Sequence, residues 1–242
     1  MRSLSAFFIA LAIIIAAVVL SKGYNYKFKS HHTLSVAGSA YYDFTADLIV
    51  WSGVFERTSM DIKDAYANLK TDEQNIGSYL SSHGIANNEM VFSAIVIDKQ
   101  FQPTYSPEGK LTGTVFKGYK LTQSIKIESK NIDTVEKISR QITELLQSGI
   151  ELTSGEPLYY YTKLADLKVD LLAKASADAY NRAQTVVKNA KGHLGKMINA
   201  SMGVFQITGQ YSNENFTYSG AYNTSSKNKT ANVVVRIEYA LD

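Results

Sequence analysis

From Leu164 to Ala190 one stripe of apolar and small residues recurs at spacings of three and four: Leu164, Leu167, Leu171, Ala175, Ala179, Ala183, Val186 and Ala190. That period puts them on one face of a single long amphipathic helix, with Lys168, Lys174, Arg182 and Lys188 turned mostly away. The stripe changes from Leu to Ala along its length. Alanine lets a helix lie close against a sheet or a second helix, where leucine would hold the two apart. Asp178 precedes Arg182 by four residues, the favourable order for a helical ion pair. A chain built round such a helix must supply a surface for the stripe.

The flanking sequence offers strands. Leu34 and Val36, then Ala46, Leu48 and Val50, alternate with polar or small residues. They predict two strands around a turn near Tyr41 to Phe44, the second running on through Trp51, Val54 and Phe55. Trp51, the single tryptophan, is expected in the core or on a sheet face. Asp61 offers an N-cap for a helix with Ile62, Ala65, Leu69, Ile76 and Leu80 inward, ended at His83-Gly84. Met90 to Ile97 reads as a strand, and Asp98 to Gly113, with Pro103, Pro107 and Gly109, as a long hairpin loop. Val115 to Ser129 alternates through Tyr119, Leu121, Gln123, Ile125 and Ile127 as a strand. Asn131 or Asp133 caps the next helix, with Val135, Ile138, Ile142, Leu145 and Leu146 inward and Gly149 past its end. Ile150 to Leu158, Met197 to Thr208 and Ala231 to Leu241 complete the strands, with Gly192 and Gly195 breaking the long helix.

The N-terminus has a different character. Leu4 to Leu20 is apolar or small apart from Ser5, preceded by Arg2 and followed by Lys22, Lys27 and Lys29. At 1.5 Å per residue it spans roughly 25 Å, close to the ~30 Å hydrocarbon core of a bilayer. No A-x-A pattern follows the run, which ends Val18-Val19-Leu20-Ser21-Lys22 and so favours an uncleaved signal anchor over a cleaved signal peptide. The expected organisation is therefore an anchor or signal over 1–22, a linker over 23–32 and one domain over 33–242. His31 and His32 fall in the linker, where adjacent side chains diverge and do not form a metal site.

Gly209 to Thr230 is rich in Ser, Asn, Tyr and Gly and almost free of aliphatic residues. It is too long for a structural turn, so it is either a mobile tip or an interaction loop. In the second case Tyr211, Phe216, Tyr218 and Tyr222 are the candidate contact residues.

Catalytic equipment is sparse. The absence of cysteine excludes disulfides, a thiol nucleophile and Cys-based zinc or Fe–S sites. The four His include no metal-binding i,i+4 pair, and no phosphate-cradling Gly motif or G-x-S-x-G elbow is present. The carboxylate pairs Asp61/Asp64, Asp72/Glu73 and Asp166/Asp170 are expected on solvated helix surfaces. Net charge is +3, part of it at the N-terminus, which argues against a nucleic-acid surface. No catalytic, metal-binding or cofactor-binding residue is expected, and the chain is expected not to be an enzyme.

An ordered set of segments resembles a known family. Leu34-Ser35-Val36-Ala37-Gly38-Ser39-Ala40 with Ala46-Asp47-Leu48 is similar to the start of the SIMPL domain, DUF541. The likeness continues at Gly118-Tyr119-Lys120-Leu121-Thr122-Gln123-Ser124, at the helix start Asn131-Ile132-Asp133, and at Lys174-Ala175-Ser176-Ala177-Asp178-Ala179 with Arg182-Ala183. The resemblance implies an α+β fold, antiparallel β-sheet with three main helices packed on it, in a bacterial envelope protein. It brings no catalytic residues. Members it points to are YggE-like oxidative-stress proteins, a Brucella periplasmic antigen that forms channel-like oligomers, and a mammalian relative that binds a signalling kinase.

The expected protein is thus an inner-membrane-anchored one, held through Leu4–Leu20 with its domain in the periplasm. It is expected to act by self-assembly as a homo-oligomer or by protein contacts in envelope stress tolerance. An adaptor for a signalling partner, or a small-ligand enzyme using loop carboxylates, are the alternatives.

Overall fold

The computed structural model describes residues 13–22 and 32–241. Most of the expected anchor and linker therefore lies outside the described residues. Residues 13–22 form a helix, α1, whose side chains are exposed. Among the described residues no helix is long and apolar enough to cross a membrane.

The chain is α+β, with antiparallel sheets, and divides into two compact units. The larger takes 41–171 and 204–233; the smaller takes the described residues of 1–40, 172–203 and 234–242. In the larger unit β2 (Leu48–Ser59) pairs along its length with β5 (Leu111–Ser129), Trp51 opposite Ile127 and Phe55 opposite Gln123. The period of two then puts Ile49, Trp51 and Phe55 on the same face as Leu121, Ile125 and Ile127, and all six are buried. Onto that face pack α2 (Ile62–Ser82), through Ala65, Leu69, Ile76 and Leu80, and α3 (Ile132–Gln141), through Val135 and Ile138. Each fully buried Leu or Ile contributes roughly 1.5–3 kcal/mol. The caps are as the sequence predicts. Asp61 Oδ1 accepts from Lys63 N at 2.8 Å, Asn131 is the second N-cap, and Gly84 closes α2 with φ +91°. Trp51 is in the core, its Nε1 donating to Ser154 Oγ at 3.0 Å.

Several expected boundaries are corrected. β1 (Thr33–Thr45) runs straight through 41–44, and the turn into β2 is confined to 46–47. Past Gln141 the chain tightens into a 3₁₀ turn, Ile142–Ser148, which rotates Leu146 out to solvent while Leu145 stays buried. The strand expected over Ile150 to Leu158 is two short ones, β6 (Leu152–Ser154) and β7 (Leu158–Tyr160), both paired with β2. Between them Gly155 N donates to Ser52 O at 2.8 Å, and Pro157 has no N–H for the ladder. Met90 to Ile97 is also divided, into β3 (Met90–Phe92) and the start of β4 (Val96–Tyr105). The largest correction is at 98–113. In place of a long loop, β4 and β5 form a hairpin closed by a turn at 106–110. Pro103 is tolerated there because, among the described residues, β4 pairs on one side only.

In the smaller unit the later residues of β10 (Asn228–Leu241) pair antiparallel with β8 (Leu194–Met202), Ile237 opposite Ala200, and on the other side with β1. The expected strand Met197 to Thr208 breaks at Gly203, whose N–H donates to Val234 O, before β9 (Gln206–Gly209). The Ala stripe lies on α4 (Leu164–Asn189) and does what its size allows: Ala175, Ala179 and Ala183 are fully buried. A Cβ on Gly38 of β1 would stand 2.3 Å from both Ala175 O and Ala179 N. Helix and strand are thus in backbone contact. Asp178 Oδ2 accepts from Ser39 N and from Arg182 Nε, each at 2.9 Å, and both bonds hold its carboxyl below the usual aspartate range, the backbone bond more than Arg182. At the end of the stripe Val187 is buried, while Val186 and Ala190, expected inward, are exposed.

Candidate interaction surfaces

Two surfaces of the larger unit stand out, one expected and one missed. The expected one is the chain between β9 and β10. It is anchored by the buried side chains of Gln206, Asn223 and Lys229 and by the exposed Glu214. Gln206 Oε1 accepts from Thr217 N at 3.2 Å and Ala221 N at 2.8 Å, and its Nε2 donates to Thr217 O at 2.8 Å. Glu214 accepts from Gly209 N at 3.0 Å and from Asn223 Nδ2. Those contacts hold its carboxyl below the ordinary glutamate range, the Gly209 amide most of all. Lys229 is buried; its Nζ donates to Asn223 O at 2.6 Å and Asn223 Oδ1 at 3.2 Å. Burial lowers its pKa to about 8, against the raising influence of Glu214. Lys227 ties the far end to α3 through Asp133, at 2.6 Å, and Glu136.

The segment is thus tied down by hydrogen bonds at its base, and its aromatics lie outside that network. Tyr211 (95%) and Tyr218 (104%) are fully exposed, Phe216 is more than half exposed and Tyr222 just under half. Tyr211 sits at φ +60°, a left-handed conformation that non-glycine residues adopt uncommonly. Tyr222 borders a cleft of about 270 Å³ shared with Glu214, Asn215, Ala221 and Asn223.

The missed surface is the outer half of the β4–β5 hairpin. β2 pairs only with residues 119–129 of β5, so residues 100–118 leave the sheet as a two-stranded ribbon. Cross-strand partners share a face, so Phe101 with Phe116, Pro103 with Thr114, and Tyr105 with Leu111 form one apolar face. Gln102 with Val115 and Thr104 with Gly113 form the other. The apolar face continues the core face: Leu121 is buried, Tyr119 still packs against the core, Phe116 meets Tyr119 edge to face with ring centres 5.2 Å apart, and Phe101 meets Phe116 in the same way at 5.6 Å. Beyond Tyr119 the face has no cover among the described residues; Phe101, Tyr105 and Leu111 are more than half exposed. The signal in the sequence was the alternation of Phe101, Pro103 and Tyr105, masked by Pro103 itself and by Pro107 just after it.

The carboxylates do not converge. Asp61 caps α2, Asp64 lies in its first turn, and Asp166 and Asp170 lie on α4, all four exposed. Asp72, expected on a solvated surface, is instead buried, its Oδ1 accepting from Arg57 Nη2 at 2.8 Å; Arg57 also donates to Gly149 O. Among the described residues there is no group of three or more His, Cys, Asp or Glu able to hold a metal ion.

These features define an α+β protein that exposes aromatic and apolar side chains on antiparallel sheet. The SIMPL family model, described as a protein of unknown function (DUF541), matches residues 34–239, and the chain belongs to that family. No protein of curated function matches it.

Proposed function

We propose that this chain is a non-enzymatic cell-envelope protein, held at the membrane by its N-terminal apolar segment, that acts through self-assembly or protein contacts. The ribbon carries this reading. Two strands alone are marginally stable in water, and an apolar face that leaves the core uncovered is a surface awaiting a partner. The apolar run Leu4–Leu20 supports the membrane attachment, and the family resemblance supports a role in envelope stress. A second reading, an adaptor for a different protein, is favoured by the aromatic loop, since Tyr211 and Tyr218 offer large rigid contact area at low entropic cost. The test is the native mass of the detergent-solubilised full-length protein beside a form beginning at Tyr24, with crosslinking in cells. Discrete oligomers or a recovered partner support the proposal. Monomers in both forms, with no crosslinked species in cells, overturn it.

A further inference from the structure

We propose that the ribbon is a dimerisation arm that docks on the ribbon of a second copy, apolar face to apolar face, antiparallel about a twofold axis at Pro103 and Thr114. This rests on the protein-contact reading and narrows it to one partner and one face. In that register apolar groups meet apolar groups along the whole face. Its centre carries the short side chains Pro103 and Thr114, with larger groups at each end. The twofold sets Phe101 over Tyr105 of the partner subunit and Phe116 near Leu111 of the partner subunit, so ring meets ring or Leu. Charge agrees with the same register. Lys99 is on the apolar face at the base of the arm, opposite Tyr119, and Glu108 is in the turn at its tip. Antiparallel stacking brings Lys99 to the turn bearing Glu108 of the partner subunit, twice by symmetry. The remaining tip charge, Lys110, falls over Gly118 of the partner subunit, which has no side chain. A parallel, tip-to-tip arrangement would instead put Glu108 near Glu108 of the partner subunit.

Size fixes the expected strength. The exposed parts of Phe101, Pro103, Tyr105, Leu111 and Thr114, with the edge of Phe116, offer on the order of 400 Å² per copy. The total of about 800 Å² is half a standard interface, which points to a reversible dimer in the micromolar range.

The chain has no cysteine, which allows a direct test. Full-length protein with Pro103→Cys, at the axis, is expected to crosslink to a dimer with a short bismaleimide, whereas Gln102→Cys, on the opposite face, is not. By sedimentation equilibrium up to 200 μM (about tenfold above a midrange micromolar Kd), Phe101→Glu is expected to weaken dimerisation at least tenfold with an unchanged circular dichroism spectrum. Lys99→Glu is expected to weaken it and Lys99→Glu with Glu108→Lys to restore it. Wild-type protein that self-associates equally well with Phe101→Glu, or crosslinks equally at Gln102→Cys, overturns the arm and leaves the wider reading intact. A strictly monomeric wild type overturns the arm and the self-assembly part of that reading together, leaving heterologous contacts to the crosslinking in cells.

Discussion

Single residues in this protein take their meaning from what lies within 3 Å of them. Gly38 has no space for a side chain because α4 crosses it at backbone distance. Gly38→Ala is expected to destabilise the chain by about 1–3 kcal/mol, more if α4 cannot shift, as read from a denaturant midpoint. Arg57 is a second case. Its loss in Arg57→Ala leaves the Asp72 carboxylate buried without its cation, and a cost of about 3 kcal/mol is expected in urea unfolding. Lys229 gives a pH signature. Its folded pKa of about 8 lies below its ordinary value of 10.5, so between these limits the unfolded chain holds more protons and stability rises with pH. Unfolding measured from pH 7 to 10.5 is expected to show wild type gaining on Lys229→Met across that window. Equal slopes would remove the charge from this account.

At the scale of elements, the helices were legible and the irregular strands were not. A helix declares itself through a 3.6-residue period over many turns and through local caps, and Asp61, Asn131 and Gly149 all did so. Asp61→Ala is expected to cost about 1 kcal/mol, from the loss of the bond to Lys63 N, and to lower the melting temperature by a few degrees. Strand limits depend on partners remote in sequence. Nothing local to Tyr41–Phe44 says that β10 lies beside part of it, where Asp43 accepts from Thr230 Oγ1 at 2.6 Å. Pro103 looks like a strand breaker until the sheet places it at an edge. The aromatic loop was legible in composition alone; the hydrogen bonds made to it by Gln206 and Asn223 were not, because those side chains look solvent-bound in sequence and are buried in the fold.

For the whole molecule, the question is what the exposed apolar surface does at working concentration. If copies associate through the β4–β5 arm, the melting temperature is expected to rise with protein concentration by mass action and to lose that dependence in Phe101→Glu. The sequence by itself determined the helices, the alternating β5 and β10, the family, and the close packing implied by an Ala stripe, because each follows from periodicity or side-chain size along one stretch. Only the tertiary structure decided that Asp72 is an inward carboxylate, that Lys229 is a buried cation, and that residues 100–118 stand out as an uncovered arm. Burial and pairing are properties of residues far apart in the chain, and a local pattern carries no record of which strand ends first.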